Sequence, residues 1–192
     1  MSRCLMNKII HMPPAQNIAL FDILMDAASY SPGRFIEMGV YKADTFDHIY
    51  RSAKRFKREA VGLDSFIGHP DPRSPGEGNQ HKGKHAAGGS CLFREKYPDA
   101  ICIEGFIPEI LNDIEPSEYA FAHIDLDHQL TTMEALEWIW PQMSDGGIMI
   151  CHDYSVKGSV AAAKAIGDWM SKTGINYIGL QDTSIFFRKG VA

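Results

Sequence analysis

The chain lacks any hydrophobic run long enough to cross a membrane. No window approaches the roughly 18 uninterrupted apolar residues that a transmembrane helix needs. The first eight residues, MSRCLMNK, also lack an apolar segment of the length found in secretion signals. We therefore expect no membrane partner and a cytoplasmic location.

Cysteine is scarce and widely spaced. The four cysteines, Cys4, Cys91, Cys102 and Cys151, form no C-x-x-C pair, which argues against a zinc ribbon or a redox dithiol. Cys102 and Cys151 lie in apolar runs, where a reduced cysteine packs as a small hydrophobic residue. We expect all of them to be free thiols.

An excess of positive charge is also missing. The formal net charge is −5, which disfavours a partner with a phosphate backbone. One local basic run, residues 51–58, lies where a helix is predicted to end, and cations suit that end of the helix dipole. We therefore expect no nucleic-acid partner.

What the sequence does contain suits one α/β domain. The chain has 192 residues, of which 45% are hydrophobic, enough for a sizeable core. We predict a single domain over 1–192. Its first part, 1–32, is predicted as a helical extension, because apolar residues recur at helical spacing until Pro32 and Gly33.

Residues 67–90 are rich in glycine, proline, histidine and charge and show no periodicity. They predict a long loop or lid, because structureless segments of this length in compact domains are often binding loops. The loop histidines His69, His81 and His85 are too irregularly spaced to predict a zinc site.

Short apolar runs alternate with helical patterns along the rest of the chain. Strands are predicted at 35–38, 60–63, 100–104, 119–126, 148–151, 176–180 and 184–188. Helices are predicted after each of the first five strands or in the loops between them. Asp44 or Thr45 is expected to cap the helix that follows the first strand. Residues 145–147 are expected to terminate the helix that contains 133–143. This alternation predicts a Rossmann-like α/β fold: a seven-stranded, mostly parallel sheet with helices on both faces and an antiparallel last strand.

Acidic residues collect where the predicted strands end. They are Glu37, Asp64, Glu104, Asp125, Asp127 and Asp153. Since parallel strands present their carboxyl ends at one edge of a sheet, these acids should line one crevice. Gly39 leaves room there for a ligand to approach the backbone. Asp64 lies 25 positions beyond Gly39, compatible with the spacing of about 20 seen for acids that bind a ribose diol.

Four segments carry a resemblance to a known family. They are 35–42 (FIEMGVYK), 62–66 (GLDSF), 123–127 (HIDLD) and 146–154 (GGIMICHDY). Together they resemble class I S-adenosylmethionine-dependent methyltransferases, and most closely the macrocin O-methyltransferase family. The likeness extends from about residue 33 to the end of the chain, and residues 1–30 match nothing in that family.

The resemblance implies a cofactor, S-adenosylmethionine, and transfer of its methyl group to a hydroxyl of a small molecule, often a sugar. The implied cofactor-binding residues are Glu37, Gly39, Tyr41, Asp64, Ser65, Glu104, Gly105 and Asp125. The implied catalytic residues are Asp125, His152 and Asp153, which are also the implied ligands of Mg²⁺. His152 stands where the family usually has a second acid, and imidazole suits Mg²⁺ less well than oxygen ligands do. Asp127 is an alternative oxygen ligand. Ala43 likewise stands where many methyltransferases carry a glycine.

Several alternatives stay open at this level. A cation held by Asp125 and Asp153 would coordinate the acceptor hydroxyl and lower its pKa; without a cation, the base would be His152 or a loop histidine. The fold also suits a non-catalytic cofactor-binding or regulatory protein, or a nicotinamide-dependent dehydrogenase. The chain lacks the full G-x-G-x-x-G of the dehydrogenases. The acceptor is expected against residues 67–90 and the first helix, and a homo-oligomeric state stays open.

Overall fold

The computed structural model describes residues 14–70, 82–154, 160–180 and 183–190. The helices are α1 (Pro14–Ala28), α2 (Asp44–Arg55), α3 (Cys91–Lys96), α4 (Gln129–Ile139) and α5 (Val160–Thr173), with 3₁₀ turns at Glu109–Asp113 and Trp140–Gln142. The strands are β1 (Arg34–Met38), β2 (Ala60–Asp64), β3 (Ile101–Glu104), β4 (Tyr119–Ile124), β5 (Met143–Cys151), β6 (Ile178–Gly179) and β7 (Ile185–Arg188).

The strands form one sheet in the order β3-β2-β1-β4-β5-β7-β6. The pairs among β1 to β5 are parallel, whereas β7 pairs antiparallel with both β5 and β6. The predicted fold, a mostly parallel seven-stranded Rossmann-like sheet with an antiparallel last strand, is therefore confirmed. Neighbouring β1 and β4 lie at its centre, so their carboxyl ends open on the crevice where ligands bind in such sheets.

Apolar residues cover both faces of the sheet. One core contains buried residues of α4 and α5 such as Leu136 and Ile166. The other contains buried residues of α1, α2 and α3 such as Met25, Phe46 and Phe93. This division follows from the helical spacing of the apolar residues, because each stripe must be buried against a strand.

Two predicted helix boundaries were wrong. No side chain caps α2: its N-terminal neighbour is Ala43, in a left-handed conformation with φ 68°. The tight turn in which Ala43 donates to the carbonyl of Val40 (2.8 Å) brings Asp44 into the helix itself. Position 43, where many methyltransferases carry a glycine, thus has the backbone conformation that favours glycine.

The segment 145–147, predicted to terminate a helix, belongs to β5 instead. The helix ends earlier, at Ile139, and is followed by a 3₁₀ turn that contains Pro141, which has no N–H to continue the α-helix. Gly146 and Gly147 are drawn into the sheet by backbone bonds with Lys189 at 3.1 and 2.9 Å. The backbone pairing with Lys189 has therefore outweighed the local sequence pattern, in which two glycines indicated the end of a helix.

The basic run of 51–58 ends α2 as predicted. Arg51 pairs with Asp47, Lys54 with Asp99 and Arg55 with Asp26. These cations are therefore used in surface ion pairs around the end of the helix.

Cys91, Cys102 and Cys151 are free thiols, as predicted, and Cys4 lies outside the described residues. In the described part of the chain, no helix combines the length and the apolar character required to cross a bilayer. Residues 67–70 and 82–90 contain no helix or strand, consistent with the predicted loop, while 71–81, with His81, lie outside the described residues.

Candidate active site

Backbone hydrogen bonds extend past the strand ends and bring the predicted site residues to one edge of the sheet. The N–H of Gly39 donates to Leu63, that of Asp125 to Met38, and each bond measures 2.9 Å. The N–H of His152 continues the same ladder. The turns after β1, β4 and β5 therefore lie side by side.

A cavity of about 330 Å³ opens at this edge, and we call it the first cavity. The predicted site residues that line it are Gly39, Tyr41, Asp64, Ser65, Gly105, Asp125, His152 and Asp153. Its size is that of a small-molecule pocket. Most of the residues predicted from the sequence to bind a cofactor thus converge on one space.

Asp64, at the end of β2, organises the floor of the first cavity. Its Oδ2 accepts a hydrogen bond from the N–H of Tyr41 at 2.7 Å, and its Oδ1 accepts one from the N–H of Phe66 at 2.6 Å. One carboxylate therefore holds both the turn after β1 and the turn after β2. Charge-assisted bonds of this kind are among the stronger ones in proteins.

Gly39 is required by the fold itself. A Cβ at this position would lie 1.8 Å from the carbonyl oxygen of Asp125, and φ is +95°. From the sequence, this glycine was expected to make room for a ligand. The structure adds a stronger reason, which is the close approach of the backbone after β1 to the backbone after β4.

Two of the predicted cofactor contacts, Glu37 and Glu104, do not line the first cavity. Glu104 is turned toward α3, where its Oε2 accepts a bond from the hydroxyl of Ser90 at 2.5 Å and lies 3.9 Å from Arg94. Its role as a cofactor contact stays a prediction.

Glu37 is buried in the sheet and paired with His123, the residue opposite it in the register of β1 and β4. Nδ1 of His123 lies 2.8 Å from Oε1 of Glu37, and Oε2 is buried with no hydrogen-bond partner among the described residues. Burial raises the pKa of Glu37 to about 7, although the bond from His123 opposes this rise. Its role toward a cofactor also stays a prediction.

The raised pKa of Glu37 has a consequence for stability. An acid whose pKa is higher in the folded state stabilises the fold below its unfolded pKa of about 4.5, and that stability is lost as the pH rises through about 7. In Glu37→Gln the amide oxygen still bonds His123 but does not ionise. As the pH rises from about 4.5 to about 7, the free energy of unfolding of the wild type should fall by on the order of 1–3 kcal/mol more than that of this variant.

Urea denaturation at a series of pH values measures this difference. Glu95→Gln is the matched control, because Glu95 is exposed on α3 and its replacement should leave the pH dependence of the wild type unchanged. Parallel stability curves for the wild type and Glu37→Gln would contradict the prediction.

Asp125, His152 and Asp153 form a compact cluster at the ends of β4 and β5. Nδ1 of His152 lies 3.3 Å from Oδ1 of Asp125 and 3.0 Å from Oδ1 of Asp153. Burial lowers the pKa of His152, but the two carboxylates outweigh burial and raise it to about 10. The same contact with His152 lowers the pKa of Asp153. The ligand atoms of the three residues lie within 4.8 Å of one another.

A second cavity, of about 400 Å³, lies on the other side of this cluster. It is lined by α1 through Phe21, by α2 through His48 and by Leu180 near β6. Asp125 and His152 line both cavities. Two ligand-sized spaces therefore meet at one carboxylate and one imidazole.

Sequence reasoning missed several residues of this region. It assigned no role to His123, although aligning β1 with β4 would have placed it beside Glu37. It also missed His128, which is buried and lines the first cavity, and His48 and Phe21 in the second. No local pattern distinguishes these last residues from ordinary helix positions.

A family model described as "Methyltransferase domain" matches residues 36–154, the segment that contains every predicted site residue. The chain belongs to the methyltransferase domain family. This membership confirms the predicted enzyme class, an S-adenosylmethionine-dependent methyltransferase, and leaves the narrower macrocin-type resemblance a prediction. A comparison with curated proteins finds no match.

Solved methyltransferase structures share the fold. The O-methyltransferase NovP is 18% identical with a TM-score of 0.74, and the match covers 92% of this chain and 80% of that one. CalS11, a TDP-rhamnose 3'-O-methyltransferase, is 18% identical with a TM-score of 0.70 and the same coverages, 92% and 80%. The SAH-bound methyltransferase PaMTH1 of Podospora anserina is 18% identical with a TM-score of 0.62, covering 96% of this chain and 91% of that one.

Proposed function

We propose that this methyltransferase transfers a methyl group from S-adenosylmethionine to a hydroxyl of a small molecule. The observation that carries the proposal is that Asp125 and His152 line both cavities. A cofactor in the first cavity and an acceptor in the second would then meet at these two side chains.

The first cavity fits the cofactor chemically. It combines a carboxylate at the end of β2, Asp64, with apolar side chains such as Leu63, Phe106 and Ile107, which suits a ribose diol beside a purine ring. Oε2 of Glu37 is a buried acceptor with no donor among the described residues, and because Glu37 does not line this cavity, a bridging water would have to link it to the cofactor. The SAH bound to PaMTH1, a protein of the same fold, agrees with this choice of ligand.

The second cavity suits a compact hydroxylated acceptor. Apolar contacts come from Phe21, Ile150 and Leu180, and polar ones from Thr45 and His48. Its described lining includes α1, the helix against which the sequence led us to expect the acceptor, and no described residue of 67–90. Because hydroxyl groups need polar partners and a sugar ring also presents apolar faces, a sugar is our first choice. CalS11, which shares the fold, is a methyltransferase of TDP-rhamnose and so acts on a sugar.

When it is bound, the cofactor supplies an already activated sulfonium methyl group. The protein must then hold the acceptor oxygen in line at about 3–3.5 Å, exclude water and remove the hydroxyl proton. Asp125 faces both cavities and accepts that proton, while the imidazole of His152 holds the carboxylates of Asp125 and Asp153 by charge rather than through an aligned hydrogen bond. His152 is therefore a positioning residue in this proposal.

A divalent cation fits the cluster of Asp125, His152 and Asp153, whose ligand atoms lie close enough for one ion. The carboxylates suit Mg²⁺, but an imidazole nitrogen suits Mn²⁺ or Zn²⁺ better. We therefore propose Mn²⁺ ahead of Mg²⁺. Bound there, a cation would lower the pKa of a coordinated hydroxyl.

Calorimetric titration with S-adenosylmethionine tests the cofactor site. We expect the wild type to bind and Asp64→Asn to bind at least about tenfold more weakly, since charge-assisted bonds contribute about 1.5–3 kcal/mol each. Asp99→Asn, a change in an exposed acid on the surface, is the control and should bind like the wild type. If the folded wild type binds no cofactor at millimolar concentration, the proposed function is wrong.

A further inference from the structure

Two loop histidines and an acid after β4 converge beside the first cavity. Nε2 of His69 lies 3.3 Å from Oδ2 of Asp127, and Nε2 of His85 lies 3.8 Å from the same oxygen. The ligand atoms of the three residues all lie within 4.8 Å of one another. None of these residues belongs to the Asp125–His152–Asp153 cluster.

The backbone holds the two histidines together although they are far apart in the sequence. The N–H of His69 donates to the carbonyl of Lys84 at 2.8 Å, and the N–H of Gly83 donates to the carbonyl of His69 at 3.0 Å. His85 and Asp127 both adopt the left-handed conformation, with φ of 58° and 61°. Such conformations are uncommon outside glycine, although Asp and His adopt them more often than most residues, and they are over-represented at functional sites.

The geometry suits a metal ion better than a set of hydrogen bonds. Nε2 of His69 is buried and has no aligned hydrogen-bond partner among the described residues, so its approach to Asp127 is not a formed hydrogen bond. In a tetrahedral zinc site, ligand bonds of about 2.0–2.1 Å place neighbouring ligand atoms about 3.3 Å apart. The separation from His69 to Oδ2 of Asp127, 3.3 Å, equals this value, and that from His85, 3.8 Å, is somewhat longer.

We propose that His69, His85 and Asp127 bind a zinc-type divalent ion, with an open coordination position toward the first cavity. Two imidazoles and one carboxylate form a typical ligand set for Zn²⁺ and a poor one for Mg²⁺. The site shares no ligand with the cation proposed at Asp125, although Asp127 contacts Asp153 of that cluster, and it does not rest on methyl transfer. The irregular spacing of the histidines gave no sign of it, because the loop brings them together only in the folded chain.

An ion at this position would join separate parts of the cavity rim. His69 follows β2, Asp127 follows β4, and the ring of His85 contacts that of Tyr41, with 5.3 Å between centroids, in the turn after β1. The ring of His128 lies tilted against that of His69, with 4.4 Å between centroids. Because a metal that binds only the folded state stabilises it, the ion should raise the melting temperature.

Metal content and the absorption spectrum of the Co²⁺-loaded protein test this site without any activity measurement. The full chain is dialysed against limiting Zn²⁺, or Co²⁺, and then against buffer. We expect Asp125→Asn, which disrupts the other cluster, to retain one equivalent of Zn²⁺ and the visible bands of tetrahedral Co²⁺. When it is combined with Asp125→Asn, His85→Asn should retain about tenfold less metal than Asp125→Asn alone and lose both the bands and the zinc-dependent rise in melting temperature.

His48→Asn is the matched control, because the side chain of His48 is 40% exposed and that of His85 is 42% exposed. This control should bind Zn²⁺ like the wild type. His69→Asn provides a second test, with circular dichroism to verify folding. The proposal is overturned if folded His85→Asn binds as much zinc as the wild type, or if Asp125→Asn binds none.

Discussion

Gly39→Ala is expected to remove most of the stability of the fold. The new Cβ would lie 1.8 Å from the carbonyl oxygen of Asp125, so the backbone after β1 or after β4 must move. Neither turn can move freely, because Gly39 bonds Leu63 and Asp125 bonds Met38 in the sheet ladder. We expect a loss above about 4 kcal/mol, which is exceptional for one substitution, measured by urea denaturation of the purified variant.

Gly88→Ala separates the effect of the clash from that of backbone strain. Gly88 also has a positive φ, +85°, but a Cβ there meets nothing within 4 Å. Its replacement should therefore cost only the strain of a left-handed alanine, about 1–2 kcal/mol. Equal losses for the two variants would show that the approach of the two turns is not the reason for glycine at position 39.

Asp125→Asn is expected to abolish most of the methyl transfer while leaving the protein folded. The side chain of Asp125 is one-third exposed, so the amide should fit without a large loss of stability. Because an amide does not accept the hydroxyl proton, we expect kcat to fall by about 10²–10⁴-fold. Turnover of a panel of hydroxylated small molecules, sugars first, with S-adenosylmethionine measures the effect.

Three measurements make this test specific. Cofactor affinity is measured separately, because Asp125 also lines the first cavity and the loss of kcat must exceed any loss of binding, and the melting temperature should stay near that of the wild type. Asp99→Asn, in a surface ion pair, should turn over substrate like the wild type. If the wild type binds cofactor but methylates no member of the panel, the non-catalytic alternative is favoured; if Asp125→Asn keeps full turnover, the assignment of Asp125 as the base is wrong.

Much of the fold was predictable because periodicity reports which face of an element is buried. The stripe of Phe46, Ile49 and Ala53 predicted α2, and all three residues are buried. The prediction failed at 145–147, where two glycines after a helix indicated a terminus. Their pairing with Lys189, far along the chain, decided that they belong to β5.

The centre of the candidate site was also predictable, from a rule that needs no coordinates. Acids that follow parallel strands must meet at one edge of the sheet, and Asp64, Asp125 and Asp153 do line one cavity there. The same rule said nothing about where each side chain would turn. Glu37 faces His123 inside the sheet and Glu104 faces Ser90, because strand register and the position of α3 determine those contacts.

The sequence by itself determined the α/β class, the order of its elements and the strand-end acids, since these depend on residues close together in the chain. Only the tertiary structure decided that a second cavity meets the first at Asp125 and His152, and that His69 and His85 converge on Asp127. Those arrangements depend on hydrogen bonds between distant backbone segments, such as that from His69 to Lys84. Contacts between segments that are far apart in the chain produce no periodic pattern in the sequence.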